Sequence, residues 1–240
     1  MSYINEQDTY SQRIYYNVGL KNYLTKVYNY MAIALGITAI VAFLTVFCGL
    51  FQIIYYTPLL SLIVTFSPVV LVFYMSYKLQ DLSYQSTVVM FFLFSVLMGF
   101  SLSYVFIIYT TENITRAFLI TSIMFSSMSL YGNITKRDLT SIGSFLLMGI
   151  WGLIIATIVN MFLGSTPIYF AISLISVIIF TLLTAYDAQR IKDIYYKYNY
   201  GTDEIITIKL AILAATSLYF NFINIFLNLL RVFHFSNNKD

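Results

Sequence analysis

The chain has 240 residues, of which 60% are hydrophobic and only 10% charged, with a mean hydropathy of +0.81. That leaves too little polar surface for a soluble globule of this size, so the composition points to a polytopic membrane protein. A formal charge of +3, scattered over short loops without a basic patch, gives no support to nucleic-acid binding. The single cysteine, Cys48, lies in an apolar stretch and cannot form an intrachain disulfide.

The amino terminus is polar from Ser2 to about Lys26 and lacks the basic-then-apolar pattern of a cleaved signal peptide. The first apolar span is then expected to act as the insertion signal. We take residues 1–26 as a polar tail, 27–231 as a transmembrane bundle and 232–240 as a second short polar tail. Hydropathy windows of about 19 residues predict helices near 28–51, 58–78, 86–109, 114–133, 139–163, 168–190 and 205–230. Turn chemistry separates them at Tyr56-Thr57-Pro58, Thr111-Glu112-Asn113, Asn133 to Asp138 and Gly164 to Pro167. Loops this short join antiparallel neighbours, so the expected fold is all-α, one seven-helix membrane bundle.

Lysine and arginine distribution orients the bundle. Arg13, Lys21 and Lys26 precede the first span, and the loop after it holds none. This makes the amino terminus cytoplasmic by the positive-inside rule, and alternation puts Lys78, Lys136, Arg137, Arg190, Lys192 and Lys197 on the same side. The opposite loops offer Arg116, joined by Arg231 and Lys239 if the last span crosses, so the carboxyl-terminal side stays open.

Two helices carry polar stripes. Ile168 to Tyr186 holds no charge, spans roughly 28 Å as a helix, and ends on Asp187. An acid at a membrane boundary costs on the order of 3 kcal/mol, which makes it a functional candidate; an interfacial anchor beside Arg190, Lys192 and Asp193 is the alternative. Ser173, Ser176, Thr184 and Asp187 fall within roughly an 80° sector of that helix. Ser217, Asn221, Asn224 and Asn228 follow at i, i+4, i+7 and i+11 on the last one. Such stripes serve either as interhelical hydrogen-bond glue or as the lining of a hydrated path. A carboxylate is more than glue requires. Depth raises a difficulty, however. If Lys192 and Lys209 mark one surface, Asp187 lies about 7 Å deep and Asn221 about 18 Å, and the two miss by about 10 Å. Contact then needs the last helix to start above the membrane, or the basic residues to sit in a water-filled vestibule.

Other chemistry is sparse. Lys136-Arg137-Asp138 reads as a charged helix start in which Asp138 caps the fifth span. His234, the only histidine, falls in the tail. No metal-ligand cluster, nucleophile elbow or phosphate loop is present in the sequence, and an enzyme is the least supported class.

Three stretches resemble the Bax-inhibitor family of transmembrane proteins in its bacterial branch. They are Ser129-Leu130-Tyr131-Gly132 with Lys136-Arg137-Asp138-Leu139 and Ser144-Phe145, Ala185 to Lys192 (AYDAQRIK), and Leu218 to Phe226 (LYFNFINIF) with Leu229-Leu230-Arg231. The resemblance implies a seven-helix bundle with the last helix central, residence in the bacterial inner membrane, and a calcium leak gated by two proton-sharing aspartates. Asp187 matches the first aspartate, and Asn221 stands where the family has the second. Two close carboxylates titrate as a coupled pair, which an Asp/Asn pair cannot do, although Asn221 can still hydrogen-bond Asp187 in either protonation state. Some bacterial members also pair the first aspartate with a basic residue on the second helix; here Ser76 takes that place, with Lys78 two residues on.

These residues lead to three expectations. The first is a weak leak, pH-influenced and calcium-permeable, with Asp187, Asn221, Asn224 and Asn228 along the ion path and Asp187 a loose calcium ligand. No cofactor is implied. The second is a non-conducting regulator docked on another membrane protein such as a quality-control protease. A proton-coupled transporter ranks third, since no second intramembrane ionisable residue completes a relay.

Overall fold

The computed structural model describes residues 2–78, 81–198 and 204–237, with side chains over 18–78, 81–197 and 206–235. The outermost parts of both expected tails, including Arg13 and Lys239, fall outside the described side chains. Its helices are α1 (Ser2–Phe47), α2 (Leu50–Tyr56), α3 (Pro58–Tyr77), α4 (Tyr84–Leu102), α5 (Val105–Ile108), α6 (Thr111–Ile134), α7 (Thr140–Leu163), α8 (Thr166–Tyr198) and α9 (Glu204–Asn237). Among the described residues seven segments are long and apolar enough to cross a bilayer, with α4 and α5 together making one of them. The all-α, seven-span architecture expected from hydropathy is present.

Local chemistry explains the breaks. Gly49 and Gly164 adopt φ values of 74° and 60°, the left-handed region that ends α1 and α7. Pro58 opens α3 at a position where no amide donor is needed. The Ser83 and Thr110 hydroxyls accept from the amides of Ser86 and Asn113 to cap α4 and α6. Asp138 Oδ1 accepts from the Thr140 amide at 2.8 Å at the start of α7. The Thr140 hydroxyl, and after it this amide, hold its carboxyl below the usual carboxylate value, so its contribution to the helix start is present at neutral pH and fades only as pH falls through the lowered value.

The expected start of the first helix is corrected by about three turns at least. Helix α1 is already formed well before residue 28, because Leu20, Tyr23, Leu24, Val27, Met31 and Ala34 recur at helical spacing and pack inward. Tyr23 and Val27 are buried in the core. A hydropathy window averages this one-sided stripe with Lys21 and Lys26 and so misses it. At the other end α9 continues into the expected tail as far as Asn237, and there the His234 ring lies edge-on to Tyr109 with centroids 5.5 Å apart.

Helix α9 is the central element. Its apolar window is 61% buried, against 11% for α3 and α7. Helices α1, α4, α6 and α8 pack around it, while α3 lies outside α4 and α7 outside α8. Tyr219, wholly buried, fixes its rotation: its hydroxyl lies 2.9 Å from Thr38 Oγ1, which donates to the Ser95 carbonyl at 2.9 Å. Because Thr38 has one proton to give, Tyr219 is the donor to Thr38, and the relay ties α9 to α1 and α4.

Candidate functional site

Helix α8 brings the Ala185–Lys192 stretch to the end of the bundle that carries most of the basic residues, and almost every side chain in it has an identifiable task. A Cβ on Gly132 would overlap the Ala185 carbonyl, so α6 and α8 touch backbone to backbone there. The Tyr186 ring covers Gly143 of α7 in the same way. Ala188 and Ile191 are buried. Gln189 clamps the α6–α7 loop from both sides: its Oε1 accepts from the Leu139 amide and its Nε2 donates to the Arg137 carbonyl, each at 2.8 Å. Lys192 Nζ donates to the Asn133 carbonyl at 3.0 Å, satisfying an acceptor at the end of α6. Asn133 in turn donates to the Tyr28 hydroxyl at 2.9 Å, and that hydroxyl is also hydrogen-bonded to Ser129 Oγ.

Asp187 occupies the middle of this brace and faces α9. Its Oδ2 accepts two hydrogen bonds, from Asn221 Nδ2 at 2.7 Å and Ser217 Oγ at 2.8 Å. The carboxylate is 5% exposed and Asn221 2%. Arg190, one turn along α8, acts on it electrostatically. The difficulty of depth is resolved by the helix lengths. With Asp187 level with 217–221, Lys192 lies about 7 Å beyond it and Lys209 about 15 Å beyond, so the two lysines do not share a plane. Both helices run on past the assumed surface, α8 to Tyr198 and α9 from Glu204.

The remaining amides do not reach Asp187. Asn224 donates to the Phe220 carbonyl and Asn228 to that of Asn224, each at 2.8 Å, within their own helix. They line a separate cavity of about 270 Å³ between α7, α8 and α9, shared with Ser176 and Arg231. The Arg231 guanidinium donates to Asn228 Oδ1 at 3.3 Å and lies 5.5 Å from the centre of the Tyr169 ring. The hydroxyls of Ser173, Ser176 and Thr184 likewise donate to carbonyls four residues back. Lys78 pairs with Asp81 at 3.3 Å, and Ser76 sits on a helix that packs on α4 and α2. Among the described residues no three His, Cys, Asp or Glu side chains converge as a metal site.

Residues 20–238 match the profile of the family described as Inhibitor of apoptosis-promoting Bax1. The chain belongs to the Bax-inhibitor family. A Rickettsia prowazekii protein is 42% identical over 231 residues, 96% of this chain and 97% of the relative. The inner membrane protein YbhL of Escherichia coli is 39% identical over 216 residues, 90% and 92% of the two chains. A Borreliella burgdorferi relative is 40% identical over 217 residues, 88% and 91%. In this Bax-inhibitor protein the Gln189 clamp is the feature that reading by polar stripes passed over. A glutamine two residues from a buried acid, in a helix beside a five-residue loop, was its only signal.

The clamp has a measurable consequence. Gln189→Leu leaves the Leu139 amide and the Arg137 carbonyl without a partner, which is expected to cost about 1–3 kcal/mol. The purified protein should unfold at a lower temperature. Gln189→Glu, which keeps the acceptor and loses the donor, should fall between that variant and wild type.

Proposed function

We propose that this protein is a weak calcium-permeable leak of the bacterial inner membrane, its amino terminus cytoplasmic, with Asp187 as the control point. The observation that carries the reading is the buried carboxylate held by two donors from the central helix. A purely structural polar seam needs no charge, whereas one carboxylate beside a single amide and a hydroxyl binds a hard cation loosely enough to release it. Asn221 closes the path by hydrogen bonding, and Asn224 and Asn228 line its continuation toward the opposite end. The lysine and arginine asymmetry and the inner-membrane relative support the placement.

Calcium flux into proteoliposomes of the purified protein, measured from about pH 5 to 8, tests it. Wild type should leak with a shallow pH dependence. Asp187→Asn should change the flux and abolish that dependence, since no titrating group remains at the latch; an unchanged pH profile would remove Asp187 from the role.

One observation favours a second reading, a non-conducting regulator docked on another membrane protein such as a quality-control protease. Helix α7 packs chiefly on α8 and leaves Phe145, Met148, Trp151 and Phe162 each more than two-thirds exposed. A stoichiometric partner that co-purifies through this face, with no flux from the pure protein, would make that the function.

A further inference from the structure

Helices α1 and α6 meet near the basic end, where Tyr28 bonds Ser129 and Asn133. Toward the other end they flank α9 and leave a wedge between them. The wedge encloses a cavity of about 240 Å³, closed at its far end by α5. Its floor is buried: Ala42, Val105, Phe222 and Ile223 are each less than 9% exposed. Its rim is open at Ala39, Phe106 and Phe118, and Phe118 is 50% exposed.

Two threonines are its only polar lining, and both hydroxyls are already committed. Thr38 donates to the Ser95 carbonyl at 2.9 Å and Thr115 to that of Thr111 at 2.9 Å. A water molecule needs two to four polar partners, and a smaller apolar cavity, of about 150 Å³, stays dry and takes up benzene. With both threonine protons spent, the lining offers water no donor and holds it poorly. The rim belongs to membrane-crossing segments and continues into an exposed apolar belt that includes Ile40, Phe43 and Ile107. What lies against such a belt is hydrocarbon.

We propose that this wedge is a binding site for one acyl chain of a bilayer lipid, entering between α1 and α6 and ending against Phe222 and Ile223 of the central helix. The site takes the hydrocarbon alone, since nothing in its lining is placed to bind a headgroup. It stands independently of whether the protein conducts.

The test is tryptophan quenching in bilayers of phospholipid brominated along its acyl chains. Trp151 is the only native tryptophan and is 68% exposed. Trp151→Phe with Phe222→Trp places a single reporter on the buried floor. The proposal expects this reporter to be quenched nearly as strongly as native Trp151, and the quenching to be lost on adding Ala39→Phe at the mouth. Ala39→Phe should leave quenching of Trp151 itself unchanged. A floor reporter that brominated chains do not quench, or that they quench equally with and without Ala39→Phe, overturns the proposal. If Phe222→Trp does not fold, Ile114→Trp on the α6 wall is read by the same comparison.

Discussion

Replacing Asn221 by aspartate should convert a shallow pH response of calcium flux into a steep one between about pH 5 and 8. Asn221 Nδ2 lies 2.7 Å from Asp187 Oδ2, so an aspartate there puts two carboxyl oxygens at hydrogen-bond distance in a buried site. Both cannot ionise at once without strong repulsion, and the pair would share a proton whose loss drives the helices apart. Wild type has one carboxylate at this point, and a single titrating group changes the open fraction by at most roughly tenfold per pH unit. Asn221 cannot titrate and donates at every pH, as Ser217 also can. Proteoliposome flux across the pH series distinguishes the two regimes. Equal slopes for wild type and Asn221→Asp would mean that the contact does not control the path.

The largest loss of stability is expected from Gly132→Ala. The added methyl would overlap the Ala185 carbonyl, a backbone group that no side-chain rotation can move aside. Helices α6 and α8 must separate, at a cost of about 1–3 kcal/mol or more, and the displacement falls two residues from Asp187. Gly152→Ala is the matched control, since a methyl there meets nothing within 4 Å. It should be neutral or raise stability, by up to about 1 kcal/mol through helix propensity. Thermal unfolding of the two variants in detergent gives the comparison, and equal melting temperatures would refute the close approach.

Much of this architecture is legible in the sequence, because a bilayer forces each crossing segment to be long, apolar and helical. The six later spans therefore agree with hydropathy windows to within a few residues, apart from the longer ends of α8 and α9. The central place of α9 was expected from the family resemblance, and three amides on one face, Asn221, Asn224 and Asn228, are costly to expose to lipid. What hydropathy could not supply was anything set by relative axial position. The contact of Asp187 with Asn221 depends on how far α8 and α9 extend past the membrane, and Lys192 misleads as a depth marker because it is half-buried and donates to the end of α6. The early start of α1 was hidden because its buried stripe is interleaved with lysines. The Gln189 clamp involves a loop fifty residues away, a pairing that local pattern does not encode.

The two constraints on the central helix, Tyr219 toward α1 and Asn221 toward α8, sit two residues apart and so point about 200° apart around its axis. Rolling the helix would break both at once and strip the carboxylate of its donors. Sliding it is different, because Ser217, Asn221, Asn224 and Asn228 follow one another every three or four residues along one side of the helix, the last two now donating to carbonyls of that helix. A shift of one turn, about 5.4 Å, carries Asn224 toward the place Asn221 held. The helix is thus keyed against rotation yet graduated along its length, like a rod with notches, and a displacement that spares the buried charge is an axial one.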